Sequence, residues 1–153
     1  MKDIEVYNGS LSSDTVIEIG KFTILWGLFE KEKCGNDCNV DKLAQIVRNK
    51  EDNQHWKALA MVLKSRLDAR GCGIDDYVNS YLSHGKGMKE IEKVCVKDFI
   101  NNNGEKCLVG GLIAVYRIRN NMFHGLKEWI CLNEQIKLFK GINEFLTEAL
   151  NFL

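Results

Sequence analysis

Leu108-Val109-Gly110-Gly111-Leu112-Ile113-Ala114-Val115-Tyr116-Arg117-Ile118-Arg119-Asn120-Asn121-Met122-Phe123-His124-Gly125 is the most core-like segment of the chain, and it ends in an arginine, an amide pair and a histidine. At helical spacing Leu108, Leu112, Val115, Arg119 and Met122 share one stripe, so the cation of Arg119 stands where pattern alone would put a leucine. A conflict of this kind marks either a functional site or a paired structural charge, and the flanking segments bear on which.

On the C-terminal side, a last helix is expected from Leu126 or Lys127 to the end of the chain. Trp129, Leu132, Ile136, Phe139, Asn143, Leu146, Leu150 and Leu153 alternate three- and four-residue steps, an apolar seam interrupted by Asn143. A buried Asn143 would fix register; one near a bundle end would meet water. Phe145, Ala149 and Phe152 widen this face enough to serve either the chain's own core or a second subunit.

On the N-terminal side, the first strong helix is expected from Ser13 to about Lys33, with Thr15 and Glu18 as a capping box and with Ile19, Phe22, Trp26 and Phe29 inward. Cys34-Gly35-Asn36-Asp37-Cys38 closes it as a turn whose two thiols invite a metal or disulfide reading, although no nearby C-x-x-C or H-x-x-x-H completes a zinc site. A short helix follows over 39–49. The next is expected to start near Asn53, to bury Trp56, Ala60, Leu63 and Leu67, and to stop at Gly71. Asp75 to Leu82 is a short helical segment, and Met88, Ile91, Cys95 and Phe99 form another amphipathic face before Asn101-Asn102-Asn103-Gly104 breaks the pattern. Ser83-His84-Gly85-Lys86-Gly87 lacks phosphate-loop spacing and follows a helix, so it is read as a connector; folded near His124, its Lys86 or His84 would reach an RNA backbone.

At 153 residues and 45% hydrophobic, the chain is sized for one domain, 1–153, with a proper core. Twenty-one basic residues balance twenty-one acids, so no global positive field draws nucleic acid and any RNA contact must be local. The absence of proline suits uninterrupted helices. The expected fold is all-α, an antiparallel four-helix bundle with one or two short extra helices. Met1-Lys2-Asp3-Ile4-Glu5 has no signal architecture and the longest apolar run, Cys107 to Tyr116, is too short for a bilayer, so a cytoplasmic protein with no membrane association and with reduced thiols is expected.

Arg119-Asn120-Asn121-Met122-Phe123-His124 resembles the R-x4-H signature of the HEPN family (higher eukaryotes and prokaryotes nucleotide-binding), with Tyr116, Gly125 and Lys127 extending the likeness to small prokaryotic members. The resemblance implies a four-helix HEPN-like bundle, a homodimer with a composite cleft containing two arginines and two histidines, and ribonuclease activity in a toxin–antitoxin or antiviral defence setting. An antitoxin or defence partner is implied with it.

The residue types suit that chemistry without a cofactor or metal. A base must take the 2′-hydroxyl proton, an acid must protonate the departing 5′-oxygen, and cations must stabilise the phosphorane. Histidine exchanges protons near neutral pH, and guanidinium stays charged and grips phosphate in bidentate fashion. His124 is therefore the candidate base or acid, Arg119 the phosphate clamp, and Asn120, one helical turn from His124, the group that orients the site. Arg117, Asn121 and Lys127 are candidate RNA contacts, and Arg117 is also a possible substitute for Arg119. Arg119 and His124 lie about 140° apart on an ideal helix, so the long arginine must reach round, the helix must fray, or a second copy must complete the site. The expected products are a 2′,3′-cyclic or 3′-phosphate and a 5′-hydroxyl. Two alternatives stand: a HEPN dimer that binds RNA, nucleotide or protein without cleavage, and a plain bundle in which Arg119 pairs with Glu18 or Glu30. No G-x-S-x-G, H-E-x-x-H or G-x-x-x-x-G-K-[ST] motif points to another enzyme class.

Overall fold

The computed structural model describes residues 3–6, 9–83, 87–123 and 134–153. Helices dominate. A small antiparallel hairpin, β1 (Ile4–Val6) with β2 (Gly9–Leu11), pairs Ile4 with Leu11 ahead of them; strands of three residues are too short to show an alternating pattern, and the sequence reading missed them.

α1 runs from Ser13 to Cys34. Its cap is Ser12, whose hydroxyl accepts from the Thr15 backbone N–H at 3.1 Å. The expected Thr15–Glu18 capping box is not formed, because Thr15 and Glu18 are both buried against the core. Phe22, Trp26 and Phe29 are buried as expected. Gly35 ends the helix in the left-handed conformation (φ 64°), its N–H returning to the Glu30 carbonyl. Cys34 and Cys38 are joined by a disulfide with Cα atoms 5.2 Å apart, which corrects the expectation of reduced thiols for this pair and removes both sulfurs as metal ligands. Cys72, Cys95 and Cys107 are free, and Cys131 lies outside the described residues.

α2 (Val40–Arg48) is capped by Asn39 and buries Leu43. α3 (Lys57–Arg70) starts later than expected. Its N-terminal approach is extended because it pairs with a distant turn: Trp56 N–H donates to the Gly104 carbonyl and Lys106 N–H to the Gln54 carbonyl, each at 3.1 Å. Exposed His55 takes part through its backbone, bridged to Glu105 and accepting from the Lys57 N–H at 2.9 Å. α4 (Ile74–Asp76) leads directly into a π-helical turn, Tyr77–Leu82. α5 (Glu90–Asn101) turns Glu92, Val96, Phe99 and Ile100 inward; of the Met88–Ile91–Cys95–Phe99 face expected, Met88 and Phe99 are buried, but Ile91 is 67% exposed, so the inward face is turned toward Glu92 and Val96.

α6 (Leu108–Phe123) is apolar on nearly every side, and it is the central helix, with α5, α2 and the π-turn against it. α7 (Ile136–Phe152) lies between α1 and α3. Gln135, with φ −96° and ψ 11°, interrupts the helical conformation before it, so the helix expected to run unbroken from Leu126 or Lys127 has a break there; Trp129 and Leu132, the first seam residues, lie outside the described residues. The broad face of α7 is spent on the chain's own core, with Leu138, Phe139, Ile142, Phe145, Leu146 and Ala149 all buried. Asn143 is buried too. Its Nδ2 donates to the backbone carbonyl and to the carboxylate of Glu18, both at 2.9 Å, so it fixes α7 against α1.

Asp52 joins the two ends of the core. Its carboxylate accepts from the Trp56 indole N–H at 3.2 Å and from the Leu108 backbone N–H at 2.9 Å, which caps α6, while Trp56 packs edge-on against Phe145 and Phe152 of α7. Asp52→Ala strips both donors of their acceptor and is expected to lower unfolding free energy by about 2 kcal/mol, read from urea denaturation. An unchanged midpoint would show that water replaces the carboxylate at no cost.

Candidate functional site

The polar residues at the carboxyl end of α6 divide between two faces. Arg117 and Asn121, one turn apart, point toward α5 and the π-turn; Arg119, about 200° round from Arg117, points toward α1.

Arg117 is the buried cation of the core. It is 7% exposed, and its guanidinium donates to the Glu92 carboxylate at 2.7 Å. The inward turn of Glu92 accounts for the shifted phase of α5. Asn121 is 9% exposed and donates to the carbonyls of Tyr81 at 2.8 Å and Leu82 at 3.4 Å. These are terminal carbonyls of the π-turn, which the helix itself leaves without partners, so the amide stitches that turn to α6. Both residues were expected to meet RNA. In this structure each is buried and engaged, and phosphate reaches neither without displacing Glu92 or opening the π-turn.

Arg119 is half-buried, and it lines a cavity of about 290 Å³ between α1 and α6 with Phe22, Thr23, Trp26, Gly27, Glu30 and Met122. Among the described residues it forms no ion pair. Glu18, one of its expected partners, is held by Asn143 and by Lys21 at 3.5 Å; Glu30, the other, shares the cavity and accepts from the Cys38 N–H at 3.5 Å. The guanidinium instead donates to Asn120 Oδ1 at 3.1 Å. Neighbouring residues on a helix do not face one another, so the arginine bends back along the surface to make this bond. Asn120 therefore contacts Arg119, while His124, Gly125 and Lys127 lie outside the described residues, as do His84 and Lys86.

A second groove, of about 600 Å³, opens on the other side of α1 against α7, where Glu18, Lys21, Asn143, Glu144 and Glu148 meet. Desolvation, reinforced by neighbouring Glu144, pushes the Glu148 carboxyl above its ordinary range. No three His, Cys, Asp or Glu side chains among the described residues come together as a metal site. No helix among them is long and apolar enough to cross a membrane.

Compared with family models, with curated proteins and with solved structures, the chain matches none.

Proposed function

We propose that this chain is a metal-independent endoribonuclease of HEPN type, a cytoplasmic homodimer of four-helix HEPN-like bundles with α2 and α4 as short additions, acting in a toxin or phage-defence system. One observation carries the reading: Arg119, at the carboxyl end of α6, lines a cavity with no carboxylate among the described residues paired to it and bonds to the amide next to it, five residues ahead of His124. A guanidinium placed in this way can accept a phosphodiester as its counterion. Arg117, paired to Glu92, cannot do so at comparable cost.

In the reaction, one His124 takes the proton from the ribose 2′-hydroxyl as that oxygen bonds to phosphorus. The 5′-oxygen leaves and receives a proton from the second His124 of the dimer, giving a 2′,3′-cyclic phosphate and a 5′-hydroxyl. Arg119 holds the phosphoryl oxygens and stabilises the charge that develops on them. Asn120 positions Arg119, and Lys127 contacts the RNA backbone beyond the reacting phosphate. The neutral overall charge favours a structured or partner-delivered RNA over indiscriminate degradation.

A noncatalytic dimer binding RNA, nucleotide or a partner protein is the second reading, and Glu30 favours its protein-binding form, since a carboxylate in the Arg119 cavity opposes a phosphate there. Cleavage of total cellular RNA in EDTA separates the two. Wild type is expected to give cyclic or 3′-phosphate and 5′-hydroxyl ends, and His124→Ala to lose at least about 10²-fold in rate. Equal cleavage by both would remove His124 from catalysis, and no cleavage by either while both remain dimeric and bind RNA would establish the binding module instead.

A further inference from the structure

α1 is apolar on its outer side as well as its inner one. Ile17, Ile24 and Leu28 are exposed, Ile24 by 65%, and a Cβ added at Gly20 or Gly27 would meet nothing within 4 Å. Positions 17, 20, 24, 27 and 31 alternate three- and four-residue steps and so form one straight stripe, in which large and small residues alternate. α7, whose breadth made it the sequence's candidate for a subunit contact, has its apolar face buried; α1 retains the open one.

We propose that a second copy of this chain docks antiparallel along this stripe, each Ile17 seated over the partner's Gly27 and each Ile24 over the partner's Gly20. All of these oppositions belong to one register, centred at position 22, so a single two-fold axis there satisfies them together. Isoleucine fills the space each glycine leaves. Charge selects the same direction: the first turn of α1 carries Asp14 and the last turn carries Lys31 on the stripe itself, so antiparallel pairing sets acid against base and parallel pairing sets like against like. Lys21 lies near the axis, where its own Glu18 at 3.5 Å offsets repulsion between the two copies.

The surface is continuous with the Arg119 site. Gly27 and Thr23 line that cavity, so the partner's Ile17 closes its mouth and becomes part of its wall. The two Gly27 positions then lie about 15 Å apart along the helix direction, from ten residues at about 1.5 Å each, while Phe22 and Thr23 carry each cavity to the two-fold axis, where the two cavities approach one another. The docking rests on α1 alone; only its part at Arg119 rests on the ribonuclease reading.

Sedimentation of the full chain tests the interface. Wild type is expected to dimerise. Gly20→Leu with Gly27→Leu fills open space in the single chain and so preserves helical content, yet it should weaken dimerisation at least about tenfold, as should Ile24→Glu. Asp14→Lys and Lys31→Asp should each weaken it, and their combination should restore it. A monomeric wild type, or a dimer indifferent to the glycine and Ile24 variants, overturns the interface whether or not RNA is cleaved. A dimer that responds as described but never cleaves RNA leaves the interface standing and removes the ribonuclease.

Discussion

Arg119→Ala is expected to cut RNA cleavage by about 10²- to 10³-fold while shifting unfolding free energy by less than about 1 kcal/mol, and Arg117→Ala is expected to do nearly the reverse. The contrast follows from placement. Arg119 is half-buried beside a cavity and, among the described residues, forms one hydrogen bond, to Asn120. Removing it frees an amide that water can satisfy. Arg117 and Glu92 are both buried and 2.7 Å apart. Truncating the arginine leaves a carboxylate in the core without its cation, at a cost of about 3–5 kcal/mol. The double variant Arg117→Met, Glu92→Leu removes both charges and is expected to recover most of that loss, because an apolar pair of similar volume needs no desolvation. Urea denaturation, with cleavage measured per folded molecule, gives both quantities. If Arg117→Ala abolished cleavage without destabilising the protein, Arg117 and not Arg119 would hold the phosphate.

The two arginines also show where sequence reasoning reached and where it stopped. The 108–125 stretch is plainly helical in sequence, and a cation on a core stripe was legible as a conflict. Which cation is buried was not. α6 is covered on almost all sides, so its 3.6-residue period defines several equivalent stripes and cannot say which faces α5 and which faces α1. The phase of α5 was lost for the same reason: Ile91 fits an apolar stripe, but Glu92 is drawn inward by a partner 25 residues away. The start of α3 was set by pairing of Gln54 and Trp56 with Gly104 and Lys106, a contact no local window contains. The span of α1 was read almost to the residue, because a long stripe and a terminal glycine agree locally, although the cap is Ser12 and not Thr15. Its outer stripe escaped notice, since interspersed glycines lower the apolar signal while opening the surface that Ile17 and Ile24 share.

Gly110→Ala is expected to lower the thermal midpoint by about 10 °C, whereas Gly20→Ala, measured dilute enough to keep the chain monomeric, is expected to raise it slightly. Within a helix alanine is favoured over glycine by about 1 kcal/mol, and at Gly20 nothing lies within 4 Å to oppose that gain. At Gly110 a Cβ would stand 2.9 Å from the carbonyl carbon of Cys95 and from the Cβ of Phe99, with the Cys95 carbonyl oxygen closer still. These neighbours are backbone and the root of a side chain, so no rotamer change relieves them. α5 and α6 must part. Overpacking of this kind costs about 3 kcal/mol or more, and a domain of this size loses about 2–4 °C per kcal/mol. Gly111 is the milder case, because the atoms nearest its Cβ belong to the rings of Phe99 and Phe145. Parting α5 from α6 also stretches the Arg117–Glu92 pair and shifts the helix that presents Arg119, so Gly110→Ala should lose cleavage in the fraction that remains folded. A variant with wild-type midpoint and activity would mean that α5 and α6 do not meet at Gly110.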